Sequence, residues 1–319
     1  IEAVAACQTA GIRVKMITGD HAVTAGAIAR QIGLCGETCS YHTREVLAGH
    51  DIGELDQGQL TETADSTAVF ARVSPEQKLR LVEALQKKDY VVAMTGDGVN
   101  DAPALRQADI GVAMGLAGTE VSKESADMIL TDDNFATIKA AVEEGRGVFD
   151  NLIKFITWTL PTNGGEGLVI LTAILLGTRL PILPLQILWI NMTTALLLGL
   201  MLAFEPKETG IMLRPPRDPS MPILTAPLLI RIAMVSILLV IGAFGLFKLE
   251  LFLTGDNEAL ARTVAVNIFV FGEMFYLFNC RSMTRPVWAL GFFSNPLLWA
   301  GVGVMTLLQL LYTYLPLFN

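Results

Sequence analysis

Thr95-Gly96-Asp97-Gly98-Val99-Asn100-Asp101-Ala102-Pro103-Ala104-Leu105 packs two carboxylates, an amide and two glycines into one tight turn. An apolar run, Tyr90-Val91-Val92-Ala93-Met94, leads into it and reads as a strand. Two acids this close repel each other unless a cation sits between them. Mg²⁺ takes hard oxygen ligands, usually one or two carboxylates together with phosphate oxygens. Glycine lets the backbone turn sharply and approach a ligand with no Cβ in the way. The loop therefore reads as a magnesium–phosphate site.

Working outward, residues 2–10 read as a helix that Gly11 ends, and Ile12-Arg13-Val14-Lys15-Met16-Ile17 alternates as a strand. It runs into Thr18-Gly19-Asp20, and residues 21–32 read as helix again. In open α/β sheets ligands bind at the carboxyl edge of the strands. A Thr18 hydroxyl and backbone N–H groups at that edge suit a phosphoryl group, helped by the dipole of the following helix. A plain N-cap by Thr18 or Asp20 explains the same triplet equally well. Residues 68–73 read as a strand leading into Ser74-Pro75-Glu76-Gln77-Lys78, where Ser or Pro starts a helix carrying Lys78. Residues 108–115 and 127–130 read as further strands, and Asp132-Asp133-Asn134 as the cap of a helix from Phe135 onward.

TGDGVNDAPAL resembles the hinge motif of P-type cation-transporting ATPases. Thr18-Gly19-Asp20, Pro75-x-x-Lys78 and the Asp97–Asn100–Asp101 loop, in that order, are similar to the second, third and fourth signatures of the haloacid-dehalogenase-like family. The resemblance implies an α/β, Rossmann-like phosphorylation domain over residues 1–142, followed by an all-α transmembrane bundle over 143–319. It implies Mg²⁺ and ATP as cofactors, with Thr18 on a phosphoryl oxygen, Lys78 neutralising a phosphoryl-aspartate and Asp97 ligating Mg²⁺. Gly19 and Asp20 complete the second signature, and Asn100 and Asp101 tie the phosphoryl group to the metal shell. Such clamps are the electrostatic part of phosphoryl-transfer catalysis. The family's nucleophile is an Asp in a DKTG sequence, which does not occur in this chain. The chain is thus read as an internal fragment, inactive alone, with the nucleophile and the nucleotide-binding and actuator domains upstream of Ile1.

Composition agrees with a membrane-embedded half. Of 319 residues, 52% are hydrophobic and 17% charged, and beyond about residue 150 the charges fall mainly between apolar runs. A formal charge of −8 without a basic stripe argues against nucleic acid as a partner. Cys7, Cys35, Cys39 and Cys280 read as free thiols, and the Cys35/Cys39 spacing lacks a second ligand pair for zinc. His21, His42 and His50 read as scattered surface or loop residues.

Five spans are expected, at 152–177, 184–204, 226–249, 262–280 and 296–316, each near the twenty residues that cross a bilayer. With the first half cytoplasmic, the linkers bearing Arg214, Arg217, Arg281 and Arg285 fall inside and the acidic stretch at 254–258 outside, as the positive-inside rule requires. This places a multi-pass protein in the lipid bilayer, read as a bacterial plasma membrane. Within the spans stand Asn163 and Glu166, three apart on the first helix. Asn191 and Thr194 share a face of the second, and Glu273 lies on the fourth. An intramembrane carboxylate is a functional hypothesis by default. Asn and Thr can also simply join helices by hydrogen bonds, but Glu166 and Glu273 need a partner, and a bound cation or a proton would supply it.

The pattern Asn163-x-x-Glu166, Asn191-x-x-Thr194 and Glu273 resembles the calcium sites of sarcoplasmic-reticulum-type pumps, as does Ile211-Met212-x-Arg214-Pro215-Pro216-Arg217. Those pumps place an Asp directly after the second-span Thr, where this chain has Ala195. Ligand charge count tunes Ca²⁺ affinity, so the ion and its stoichiometry stay open among Ca²⁺, Mn²⁺, Na⁺ and H⁺. A membrane-anchored phosphatase of the same fold is the alternative, but anchoring needs neither five spans nor carboxylates within them, which favours the pump. The heavy-metal branch of pumps is disfavoured because no intramembrane Cys precedes Cys280.

Overall fold

The computed structural model describes residues 1–36 and 45–315; Cys39, His42 and the last residue of the expected 296–316 span lie outside them. The chain divides into two units, Ile1–Glu144 with Thr209–Pro219, and Gly145–Glu208 with Ser220–Asn319.

In the first unit, α1 (Glu2–Thr9) ends at Gly11, whose φ of 74° favours glycine. A Cβ there would also meet Pro216 Cδ at 2.7 Å. Next come β1 (Met16–Thr18), α2 (Ala22–Gln31), β2 (Val46–Ala48), α3 (Gly49–Glu54), α4 (Gln57–Ser66) and β3 (Val69–Ala71). The cap of α2 is His21, whose Nδ1 accepts from Val23 N at 3.3 Å, rather than Thr18 or Asp20. Helix α5 (Pro75–Gln86) begins as the sequence predicts, with Pro75 in its first turn. Ser74 and Gln77 form a reciprocal capping box there.

The chain continues through β4 (Ala93–Gly96), a 3-10 turn (Val99–Asp101), α6 (Ala102–Gln107), β5 (Ile110–Met114), α7 (Glu120–Glu124) and β6 (Met128–Leu130). The strand expected at 90–94 starts three residues late. The Asp109 carboxylate takes the Val92 N–H at 2.8 Å, and Val92 O accepts from the amides of Asp109 and Ile110, so the chain enters the ladder only at Ala93.

Among the described residues the strands form two parallel three-stranded sheets, in the orders β1-β3-β2 and β4-β5-β6. Strand β3 is buried on both faces: Val69 and Ala71 enter one apolar core with Val4, Ala25 and Val46, while Phe70 enters another with Ile52, Leu60 and Leu81. That is the pattern of a central strand covered on both sides. Strands β1 and β4 are each bonded on one side among the described residues.

After β6, Asp133 turns into the left-handed region (φ 51°) and accepts the backbone N–H groups of Gly115, Leu116 and Ala117 at 2.6, 3.0 and 2.7 Å. Asn134 caps the next helix by accepting from Ala136 N at 2.9 Å. That helix, α8 (Phe135–Leu175), runs for 41 residues, and the boundary between the two units falls within it.

The second unit holds the rest of α8, then α9 (Pro184–Leu197) extended by a 3-10 stretch (Gly199–Phe204), α10 (Ala226–Thr254), α11 (Glu258–Cys280) and α12 (Pro296–Tyr314). Among the described residues, four helical segments are long and apolar enough to cross a membrane: Pro184–Phe204, Ala226–Thr254, Glu258–Cys280 and Pro296–Tyr314. The fifth expected span, 152–177, is not among them; its apolar run is diluted by Thr162, Asn163, the glycine pair and Glu166. Its Trp158 and Val169 nevertheless lie in the same buried core as Phe269, Leu277 and Met305.

Pro161 has no N–H to give to the carbonyl of Thr157 one turn back. That carbonyl accepts instead from Tyr276 Oη of α11 at 3.1 Å, and Ser236 Oγ of α10 donates to Pro161 O at 2.8 Å. The glycines beside them serve close packing, since a Cβ on Gly164 would lie 2.9 Å from Ser236 Oγ.

At one end of the bundle the fully buried Arg281 donates to both carboxylate oxygens of Glu205, at 2.8 and 3.3 Å. Asn295 also donates to Glu205, and Asn151 of α8 donates to its main-chain carbonyl. Cys7 and Cys280 are buried thiols outside any disulfide, as expected, but Cys35, only half-buried, is in a disulfide.

Candidate functional site

Two clusters emerge, one in each unit. In the first, β4 delivers the Gly96–Asp101 turn at its carboxyl end. Lys78, one turn into α5, donates from Nζ to Asp101 Oδ1 at 2.5 Å. Both side chains are largely buried, and the second Asp101 oxygen accepts from Gly98 N at 3.3 Å. Gly96 is required here because a Cβ on it would lie 2.5 Å from Asp101 Cβ.

The loop is pinned from below. The main-chain carbonyl of Asp97 accepts from Thr119 N at 2.8 Å and from Ser122 Oγ at 3.1 Å. Its carboxylate is thereby left exposed, without a hydrogen bond among the described residues, and Asn100 beside it is likewise exposed and unbonded. Thr119 and Ser122 were not singled out from the sequence, although Thr-x-x-Ser ahead of a short helix is a capping signal.

Thr18 and Asp20 form a closed local turn: Thr18 Oγ1 donates to Asp20 Oδ2 and accepts from Asp20 N, both at 3.1 Å, while Gly19 is exposed. This turn lies at the carboxyl end of β1, and no hydrogen bond joins it to the Asp97 loop among the described residues. One free carboxylate, a neighbouring amide oxygen and a lysine-held second carboxylate fit Mg²⁺, which keeps waters and phosphate oxygens in most of its positions.

In the second unit, four of the five expected cation ligands converge. Glu166 of α8 is 3% exposed and Glu273 of α11 is 1% exposed. Asn191 of α9 donates to Glu166 Oε2 at 2.5 Å. The buried Thr194, one turn on, hydrogen-bonds the Glu273 carboxyl. Glu166 Oε1 and Glu273 Oε2 are buried with no hydrogen-bond partner. Trp158 fixes the backbone at Glu273 by donating to its carbonyl at 3.1 Å.

Asn163 is not brought to this cluster: it is exposed, because three residues along a helix leave an offset of about 60°. That offset carries it past the packed stripe of α8. Ala195 is exposed as well. Among the described residues no group of three or more His, Cys, Asp or Glu side chains stands together, so a cation here would meet two carboxylates and neutral oxygens.

Residues 179–319 match the family described as "Cation transporting ATPase, C-terminus". Residues 1–109 and 78–141 match two families of haloacid dehalogenase-like hydrolases. The "Probable cation-transporting ATPase F" of Mycobacterium bovis is 64% identical over 99% of this chain and 35% of its own length. The "Cation-transporting ATPase pma1" of Synechocystis is 48% identical over 100% of this chain and 35% of its own. A "Calcium-transporting ATPase" of Bacillus subtilis is 41% identical over 99% and 35%. The chain spans about a third of the length of the curated relatives it matches. With a haloacid dehalogenase-like α/β unit leading into helices that match the carboxyl-terminal part of these transporters, the chain belongs to the P-type cation-transporting ATPases.

Proposed function

We propose that the full-length protein exports a cation, Ca²⁺ foremost, across the plasma membrane through an aspartyl-phosphate cycle driven by ATP. The observation that carries this reading is the pair of orphaned carboxylate oxygens on Glu166 and Glu273, buried side by side with no Lys or Arg contact among the described residues. A buried charge without a partner is strongly disfavoured, and a dehydrated cation is the partner this geometry invites. Two carboxylates with the oxygens of Asn191 and Thr194 neutralise one divalent ion, which favours a single ion per cycle. Proximity of Glu166 to a core shared by α9, α11 and α12 supports α8 as a fifth span despite its polar residues.

In the phosphorylation unit, Mg²⁺ when bound supplies charge neutralisation at the phosphoryl group. Asp97 and Asn100 would hold that ion, while Asp101 fixes Lys78, whose ammonium would neutralise phosphoryl oxygens. Thr18 offers a hydroxyl once its bond to Asp20 opens. Strands β1 and β4, which carry these turns, are each bonded on one side among the described residues. A half-paired strand readily accepts another, and the resemblance puts the nucleophilic Asp on an upstream segment.

The deciding experiment uses the full-length protein. Asp97→Ala is expected to abolish phosphoenzyme formation from ATP, and normal phosphoenzyme in that variant would overturn the assignment. ATPase activity in vesicles against Ca²⁺, Mn²⁺, Na⁺, K⁺ and pH then identifies the ion.

A further inference from the structure

Away from the two carboxylates, a second polar cluster ties three helices together. Gln309 of α12 is fully buried. Its Oε1 accepts from Trp189 Nε1 of α9 at 3.2 Å, and its Nε2 donates to Asn267 Oδ1 of α11 at 2.8 Å. Thr313 Oγ1, one turn on, donates to the same Asn267 oxygen at 3.1 Å. Tyr312 stacks on Trp189 with ring centres 5.3 Å apart, and Gln186 of α9 donates to its Oη at 3.1 Å. All of these groups are uncharged, so the cluster holds no charge for a cation to neutralise. Amides in such a setting join helices.

The grip on α9 reaches further than joining. Gln186 and Trp189 meet α12 on one side of that helix. At about 100° per residue, Asn191 and Thr194 stand roughly 200° and 140° further round than Trp189, where they meet Glu166 and Glu273. Clamp and ligands thus occupy different sides of one short helix. Helix α9 has 14 residues, starts at a proline and gives way to a 3-10 stretch at Gly199, so no long regular helix fixes its rotation. A turn of α9 about its axis would carry Asn191 and Thr194 together against both carboxylates. Helix side chains end about 5–6 Å from the axis, where a turn of about 5° moves an atom by about 0.5 Å. That matches the gap between Ca²⁺–oxygen distances of about 2.3–2.6 Å and the roughly 2.0–2.1 Å of a small divalent ion such as Mg²⁺. Cavity size and rigidity decide between such ions, so the rotation of α9 is a selectivity setting.

We propose that Gln309 is a positioning residue for ion selection: by holding Trp189 it fixes the rotation of α9, and with it the width of the site between Asn191, Thr194 and the two glutamates. The inference rests on that site being the cation site, and adds to it a residue that touches no ion.

The test uses the full-length protein in vesicles, with ATP hydrolysis measured against Ca²⁺ and against Mn²⁺. The readout is the ratio of the two half-activating concentrations, together with the phosphoenzyme formed at saturating ion. Wild type is expected to separate the two ions. Gln309→Leu should bring the ratio toward one by about two- to tenfold, the range that one hydrogen bond of ordinary strength is worth, and leave the saturating phosphoenzyme level unchanged. Trp189→Phe, which keeps a ring on Tyr312 and loses the N–H, should do the same, and it carries the test if Gln309→Leu does not fold. Gln309→Glu, whose protonated carboxyl accepts from Trp189 and donates to Asn267, should keep the wild-type ratio. Thr313→Val, which cuts a bond between α12 and α11 but leaves α9 held, should keep it too. An unchanged ratio in Trp189→Phe, an equal change in Thr313→Val, or a wild type that does not separate the ions would overturn the inference. Glu166→Gln tells the two readings apart. If it leaves ion dependence untouched, the cation site itself fails; a shift there with none in Trp189→Phe removes only the role of Gln309.

Discussion

Asn191 donates its side-chain amide to Oε2 of Glu166 at 2.5 Å, while the other oxygen of that carboxylate has no partner. A bond from the neighbouring helix thus fixes the carboxylate plane and aims the free oxygen into the interior of the bundle. If that oxygen is a cation ligand, Glu166→Gln in the full-length protein removes one of two ligand charges. Half-activation of ATP hydrolysis should then require about tenfold or more ion, since ligand charge count sets affinity in such sites. Asn191→Leu, which frees the carboxylate without removing it, should give a smaller shift. Unchanged ion dependence in Glu166→Gln would make Glu166 structural.

Gly96 faces Asp101 so closely that a methyl group cannot be added without displacing one of them. Gly96→Ala should cost about 1–3 kcal/mol, the usual range for overpacking a filled site. It should also separate Lys78 from Asp101. The expected readouts are a lower thermal midpoint and slowed phosphorylation together; a midpoint unchanged within error would show that the loop has room to shift.

Tyr276→Phe leaves the Thr157 carbonyl, freed by Pro161, with no donor. A buried acceptor left unsatisfied costs about 1–3 kcal/mol. A denaturation midpoint shifted by that amount is expected, and the double variant with Pro161→Ala, which restores a helical N–H, should recover part of it. Additive losses in the pair would refute the link.

Burial lowers the Lys15 ammonium from 10.5 to about 8, with Asp65 opposing and Arg13 reinforcing the shift. Lys15 donates to the carbonyls of Asp65 and Thr67 at 2.9 and 2.7 Å. Between pH 8 and 10.5 the folded chain has released this proton while the unfolded chain still holds it. The unfolded state then binds more protons, and the contribution of Lys15 to stability rises with pH across that window. The difference in stability between wild type and Lys15→Met should therefore move in favour of wild type from pH 8 to 10. A constant difference would contradict the shift.

Much of this was readable in advance, for physical reasons that differ from residue to residue. Ser74, Pro75 and Gln77 announce a helix start by local chemistry alone, and the structure forms it as written. The loop at 95–105 is legible because its two carboxylates, its amide and its glycines stand together in one short stretch. Tertiary competition was not legible. Asp109 intercepts the amide of Val92 and delays β4, and the three-residue β2 is too short to leave a periodic signal. Helical spacing gave Asn163 and Glu166 a common face, yet only Glu166 is buried, because neighbouring helices and not spacing decide how wide the packed stripe is. Thr119, Ser122 and Tyr276 leave no local signature of these contacts because each acts on a main-chain carbonyl far away in sequence.

The Glu205–Arg281 pair bears on how the bundle is assembled. Seventy-six residues separate the partners, and both α10 and α11 are made in between. Until Arg281 arrives, Glu205 has only the more distant Lys154 as a nearby cation, and breaking a buried pair such as Glu205–Arg281 costs about 3–5 kcal/mol. Insertion of the helices is therefore not complete, energetically, when the last apolar turn of α11 enters the bilayer. It is complete when this latch closes, so everything from residue 205 to residue 281 must be in place before Glu205 has its buried partner.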